Sequence, residues 1–230
     1  MAQKKITQKD YKAAEKTFER YMREADVLLR NDEYVIVHLD GVNFTKRYFS
    51  KFDCTERKQV FCDFVSAAIE LCGFLKGSRL AYACGDEVSV ILQGDAVKDN
   101  YNNRIQKICS ISSGFLSVKL SDLIRKRNNE KLEKFAENCF FAVKTYNVPS
   151  GLIDKYMKWR LLCCKKLIFD KSKNIEECEE WEKFGALITR QGEEWQAENV
   201  DFGSCGFIRA PQNEYFNLNR YDNEAIKKGN

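Results

Sequence analysis

The chain has 230 residues, 44% hydrophobic and 31% charged, with 38 basic against 34 acidic side chains for a formal charge of +4. This excludes a disordered chain, gives enough apolar material for one domain with appendages, and permits a nucleotide or nucleic-acid partner without arguing for one. The start MAQKKITQKD has no apolar core, and nowhere do roughly 18 apolar residues run together, so neither a signal peptide nor a membrane span is expected. A soluble, cytoplasmic protein follows. Ten cysteines occur without a Cys-x-x-Cys pair, and the single histidine, His38, sits inside an apolar run. Structural zinc, a cysteine nucleophile and histidine general-base chemistry are all disfavoured.

Residues 8–30 repeat apolar side chains at steps of three and four (Tyr11, Ala14, Phe18, Tyr21, Met22, Ala25), which predicts an amphipathic helix packed on a sheet. Residues 34–44, YVIVHLDGVNF, read as a strand buried on both faces that stops at Asp40 and Gly41. The basic and aromatic loop that follows has two readings. Lys46, Arg47 and Lys51 meet phosphates while Phe44 stacks on a base, or Phe44, Tyr48, Phe49 and Phe52 plug the edge of the core. Thr55 is expected to cap a helix over 56–72, ended by Gly73 and Gly77.

Residues 79–92 then form a hairpin tipped by Cys84-Gly85-Asp86-Glu87. A long helix is expected over 99–127, with Arg104 and Lys107 near its start, either solvated or held for an anion such as a triphosphate. A polar connection at 125–134, a strand at 138–148 and a helix at about 151–169 follow, the last with Tyr156, Trp159, Leu162 and Leu167 available to its buried side. FGALITRQGEEWQ reads as a second hairpin turning at Gln191-Gly192, and the tail from Asn213 is polar.

The order strand, helix, hairpin brings the Asp40 exit and the Asp86 tip together. An Asp-Gly after a strand and acids at a hairpin tip are each most often plain turns. Together they give two carboxylates near one another, the arrangement that holds one or two Mg²⁺ ions for phosphoryl or nucleotidyl transfer.

HLDGVNFTKRY resembles the Arg-Leu-Asp-Gly-x-x-Phe motif of the tRNA-histidine guanylyltransferase family, and YACGDEVSVIL resembles that family's Ser-Asp-Glu hairpin. FERYMREADVLL, NNRIQKICSISSGF and VPSGLIDKYMKWR are similar to further family segments, in chain order over residues 18–160. The resemblance implies an α+β fold, a polymerase- or cyclase-like palm in which an antiparallel sheet carries helices on one face. Residues 1–172 would form it, and 173–230 a short C-terminal extension with a hairpin.

It further implies a nucleotidyltransferase that adds nucleotides to the 5′ end of tRNA or another RNA in the 3′-to-5′ direction. Asp40, Asp86 and Glu87 would be its catalytic acids. Two Mg²⁺ ions would lie on Asp40, Asp86 and the Gly41 carbonyl. GTP or ATP would contact Gly41, Val42, Asn43, Phe44 and Thr45, with Arg104 and Lys107 on the phosphates. Members of that family assemble as multimers, so a homo-oligomer is implied.

Three departures stand out. The family's Lys-Pro-Asn-Asp appears as Cys54-Thr55-Glu56-Arg57, and its Phe-Asp-x-Arg as Phe141-Ala142-Val143-Lys144. Its His-Ile-Asn-Asn-Leu-Tyr-Asn, which serves activation of the RNA 5′ end, is replaced by residues Lys165 to Lys171. Gly85-Asp86-Glu87 also resembles the hairpin of diguanylate cyclases. A synthase that joins nucleoside triphosphates into a signalling nucleotide, and an inactive palm used as a binding module, are therefore the alternatives.

Overall fold

The computed structural model describes residues 27–153, 155–157, 159–160, 163 and 180–198. Six strands run through them: β1 (Tyr34–Gly41), β2 (Ser78–Cys84), β3 (Glu87–Leu92), β4 (Phe141–Val148), β5 (Ala186–Gln191) and β6 (Glu194–Glu198). All neighbours are antiparallel, in the order β4-β1-β3-β2-β5-β6. The order follows from local chemistry. Gly85 adopts a φ of 60°, which lets the chain reverse in two residues and lays β3 directly against β2. β1 then takes the free edge of β3, its Asp40 opposite Glu87, and β4 covers β1 with Ala142 opposite Asp40.

Strand alternation divides the side chains between two faces. Val35, Val37 and Leu39 of β1, with Val88, Val90 and Leu92 of β3, are fully buried beneath the helices α1 (Cys54–Phe74) and α2 (Ile105–Arg125). The opposite face is partly covered. Ile36, Leu80, Tyr82, Ile91 and Leu187 form a smaller cluster with Ile153, Tyr156 and Met157, from the helical residues after Pro149. Trp159, expected on the buried side, is instead 52% exposed. Leu162 and Leu167 lie outside the described residues, as does the helix expected at 8–30 except for its last four positions.

Helix boundaries moved where short polar side chains compete for the backbone. Asp53, not Thr55, caps α1: its carboxylate accepts from the Glu56 amide at 2.8 Å, while the Glu56 carboxylate accepts from the Asp53 amide at 3.0 Å. That reciprocal pair fixes the start two residues earlier than expected. α2 begins at Ile105 rather than 99, because Tyr101, Asn102 and Asn103 take positive φ of 53° to 62° and break the preceding turns. The polar connection expected at 125–134 contains a further helix, α3 (Glu130–Ala136), capped by Asn129 and anchored by buried Leu132 and Phe135. The C-terminal hairpin turns at Gly192-Glu193 and pairs through β5 with β2, so it extends the same sheet. The expected boundary at 172/173 lies outside the described residues.

Candidate active site

The acids collect where β1 leaves the sheet. Asp40, next to last in β1, is exposed on the face that α1 and α2 leave uncovered. Its cross-strand neighbour on β3 is Glu87. Asp86, in the adjoining turn, is tied to the same strand end: its carbonyl accepts from the Gly41 amide at 2.9 Å, and its carboxylate from the Thr45 hydroxyl at 3.5 Å. Strand exit and hairpin tip are thus stitched together by backbone, as their chain order implied.

Glu87 is claimed by Arg160, whose guanidinium donates to its carboxylate while being itself only 6% exposed. Asp40 has no such partner among the described residues. Partial burial and the Glu87 charge push its carboxyl above the ordinary carboxylate range, against the pull of Arg160 and Lys144. One rung deeper, His38 pairs through Nδ1 with the Ser89 hydroxyl at 3.0 Å, and Tyr156 donates its hydroxyl to the same oxygen at 2.7 Å. Burial and the Arg160 charge hold the His38 imidazole below its usual value, so it is neutral at pH 7 and bears no charge toward Asp40. Burial also pushes the Cys139 thiol up to about 12, away from nucleophile chemistry.

The predicted nucleotide loop is only partly a free surface. Val42, Asn43 and Thr45 are exposed, and Val42 donates its amide to the Phe140 carbonyl at 2.9 Å. Phe44 is 1% exposed and meets Phe49, Phe135 and Phe141 edge to face, so of the two readings its ring plugs the core. A Cβ on Gly41 would run into that ring, which gives the glycine a packing reason beyond any approach of a ligand.

Arg104 and Lys107 do not join the acids. Arg104 bridges to Leu28, and Asn103 accepts from the Leu29 amide, at the end where the chain enters β1. α2 then runs antiparallel to β4, with Cys109 beside Thr145 and Ser113 beside Phe141. Its first turn therefore lies at the far end of the strands, and helical side chains lean further that way. Asp40 stands six residues along β1, about 20 Å at strand rise. Among the described residues, Arg160 and Lys144 are cations that the fold brings to the acids. Arg160 was legible in principle, four residues after Tyr156 on a helix, and thus on the same inward face.

Among the described residues no three His, Cys, Asp or Glu side chains gather in a metal-holding group. The donors at the β1 exit are two aspartates and backbone carbonyls, hard oxygen ligands of the kind Mg²⁺ takes when phosphates complete its shell. An Asp40 carboxyl whose proton affinity is raised by burial and by the Glu87 charge suits a cation at that place. The residues fit the group.

A six-stranded antiparallel sheet with helices on one face, and acids on the other at a strand exit and the neighbouring hairpin tip, has the architecture of a palm. The model of the Thg1 family, tRNA(His) guanylyltransferase, matches residues 13–149, more than half the chain. The chain belongs to that family and is a tRNA guanylyltransferase-like nucleotidyltransferase. Among solved structures it is similar to a bacterial tRNA(His) guanylyltransferase (Thg1)-like protein in complex with GTP, with a TM-score of 0.69 and 18% identity over 84% of this chain and 95% of that one. The ATP complex of a bacterial Thg1-like protein gives 0.66 and 18% over 83% and 94%. The tRNA(His) guanylyltransferase of Saccharomyces cerevisiae gives 0.60 and 18% over 81% and 99%. At that identity these likenesses bear on the fold. No curated protein matches the chain.

Proposed function

We propose that the chain is a Mg²⁺-dependent nucleotidyltransferase that adds nucleotides, from GTP or ATP, to the 5′ end of tRNA or another RNA. One observation carries the reading: Asp40, exposed on the face away from α1 and α2, faces Glu87 across the strands, and Asp86 is tied to Gly41 beside them. Asp40, Asp86 and the Gly41 carbonyl would hold two Mg²⁺ ions. Such ions, when bound, neutralise a triphosphate and raise the reactivity of the attacking oxygen. The other contributions come from the chain itself. Arg160 fixes Glu87 beside the aspartates, and the loop from Val42 to Thr45, exposed at Val42, Asn43 and Thr45, lines the approach for a nucleotide. Phe44 takes part by anchoring that loop, its ring committed to the core. A cytoplasmic location and a homo-oligomeric assembly belong to the same reading. No helix among the described residues is long and apolar enough to cross a membrane.

The acceptor depends on residues 165–171, which replace the family's activating segment and lie outside the described residues. The test is incubation of the pure protein with Mg²⁺ and radiolabelled GTP or ATP, with and without bulk tRNA. Label entering tRNA is the expected result. Label entering only small, RNA-independent products would replace the acceptor by a nucleotide, and no turnover with any triphosphate would overturn the reading.

A further inference from the structure

The outer side of α2 carries a surface that the site does not use. Val118 and Phe140 are 59% and 60% exposed, and both stand at one groove of about 230 Å³ between α2, the end of α3 and the turn into β4. The floor of the groove asks for nothing polar. There the Ser121 hydroxyl donates to the Ala136 carbonyl at 2.6 Å, and the Cys139 thiol to the Phe135 carbonyl at 3.4 Å. An apolar cavity of about 150 Å³ holds a benzene ring, so this groove has room for a phenyl side chain. Such a side chain, that of Phe140, projects beside it. Charges of both signs line the rim: Glu137 is exposed, and Asp122 and Arg125 are loosely paired at 3.9 Å, each more than half exposed. A rim with two acids to one base repels a nucleic acid, yet it matches a copy of itself. Gly114 lies one turn before Val118 on the same exposed stripe, and a Cβ there would meet nothing within 4 Å. Glycine weakens a helix interior, and no contact among the described residues calls for this one, whereas the close approach of a second helix does.

We propose that this face is where the chain pairs with a second copy of itself about a two-fold axis, the Phe140 ring of each copy seated in the groove of the other. A knob and a hole of matching size on one patch satisfy each other twice in that symmetry. Arg125 then faces the acids of the opposing rim, and the two α2 helices approach at Gly114. The inference rests on the homo-oligomeric part of the reading above and says which surface serves it. Asp40 lies on the other side of the sheet, so the pairing leaves it exposed in both copies.

The experiment is sedimentation equilibrium of the full chain over a concentration series, for the native protein, Phe140→Ala, Gly114→Leu and Leu152→Ala. The native protein should self-associate, with the dimer as its first step. Phe140→Ala should weaken that association about 10- to 100-fold, as loss of an aromatic anchor from a pocket predicts. Gly114→Leu should weaken it comparably, because the new side chain fills the space that the second helix needs, while the circular dichroism spectrum stays native. Leu152→Ala trims an exposed apolar residue in the segment after Pro149 and should associate as the native protein does. Unchanged association in either Phe140→Ala or Gly114→Leu overturns the inference and leaves a homo-oligomer joined through another face. An equal loss in Leu152→Ala overturns it too. A native protein that stays monomeric overturns both this pairing and the homo-oligomeric reading, and leaves the groove to a different occupant.

Discussion

The two faces of β1 are built from alternate residues of one eight-residue strand, and toward its C-terminal end they have nothing chemical in common. Val35, Val37 and Leu39 point into a dry cluster under α1 and α2. His38 and Asp40 point the other way, toward Ser89, Glu87 and Lys144 on the flanking strands. The first face gains stability with every group it buries. The second sets Asp40 opposite Glu87, whose charge raises its proton affinity. The contrast shows how a fold places reactive groups accurately at little cost: the rigid face holds the register, and the same register sets the spacing on the reactive face.

The sharpest break of this contrast comes from the acids. Asp40→Ala and Asp86→Ala should each lower turnover of a triphosphate on the order of 10³-fold or more, while the circular dichroism spectrum and thermal midpoint stay native or better. Retained turnover in either would remove these residues from the site. The opposite face should respond in the opposite sense. Phe44→Ala should cost about 3–5 kcal/mol in denaturant unfolding, because it empties a site enclosed by three other rings. Asp53→Ala, which removes half of the capping box of α1, should cost about 1 kcal/mol without changing the nucleotide affinity of the folded protein.

The smallest effect is the most diagnostic. Asp40 has a raised carboxyl pKa, so its charged form is costlier folded than unfolded, and Asp40→Asn should raise the thermal midpoint slightly at neutral pH in the absence of divalent ions. The direction with pH follows. As pH falls through the raised folded value, the native protein takes up the proton and the advantage of the variant shrinks. Below the ordinary aspartate value of 3.8 both states are protonated and the advantage is gone. A variant less stable than the native protein at neutral pH would mean that Asp40 is held by contacts of its own.

Much of this was written in short stretches of chain. YVIVHLDG and EVSVIL carry the apolar runs of two central strands, and Gly85 permits the tight turn that joins β2 to β3. Those facts are local, and they were legible as such. The capping box at Asp53 and Glu56 is equally local, and it competes successfully with a threonine two residues on. α3 was hidden because seven residues with five charged or small side chains show little periodicity, and only the pocket that receives Leu132 and Phe135 reveals its inward side.

By itself the sequence determined the strands, the order β-α-β-β-α-β and the identity of the acids, because alternation, turn chemistry and chain order act between near neighbours. Tertiary structure alone decided which cations serve those acids. Arg104 and Lys107 follow the hairpin closely in sequence but begin a helix at the far end of the sheet. Lys144 and Arg160 are 58 and 74 residues past Asp86 by their numbering, and register and helix docking bring them alongside. Proximity in a sheet is set by pairing, which joins residues distant along the chain, and no local pattern announces it.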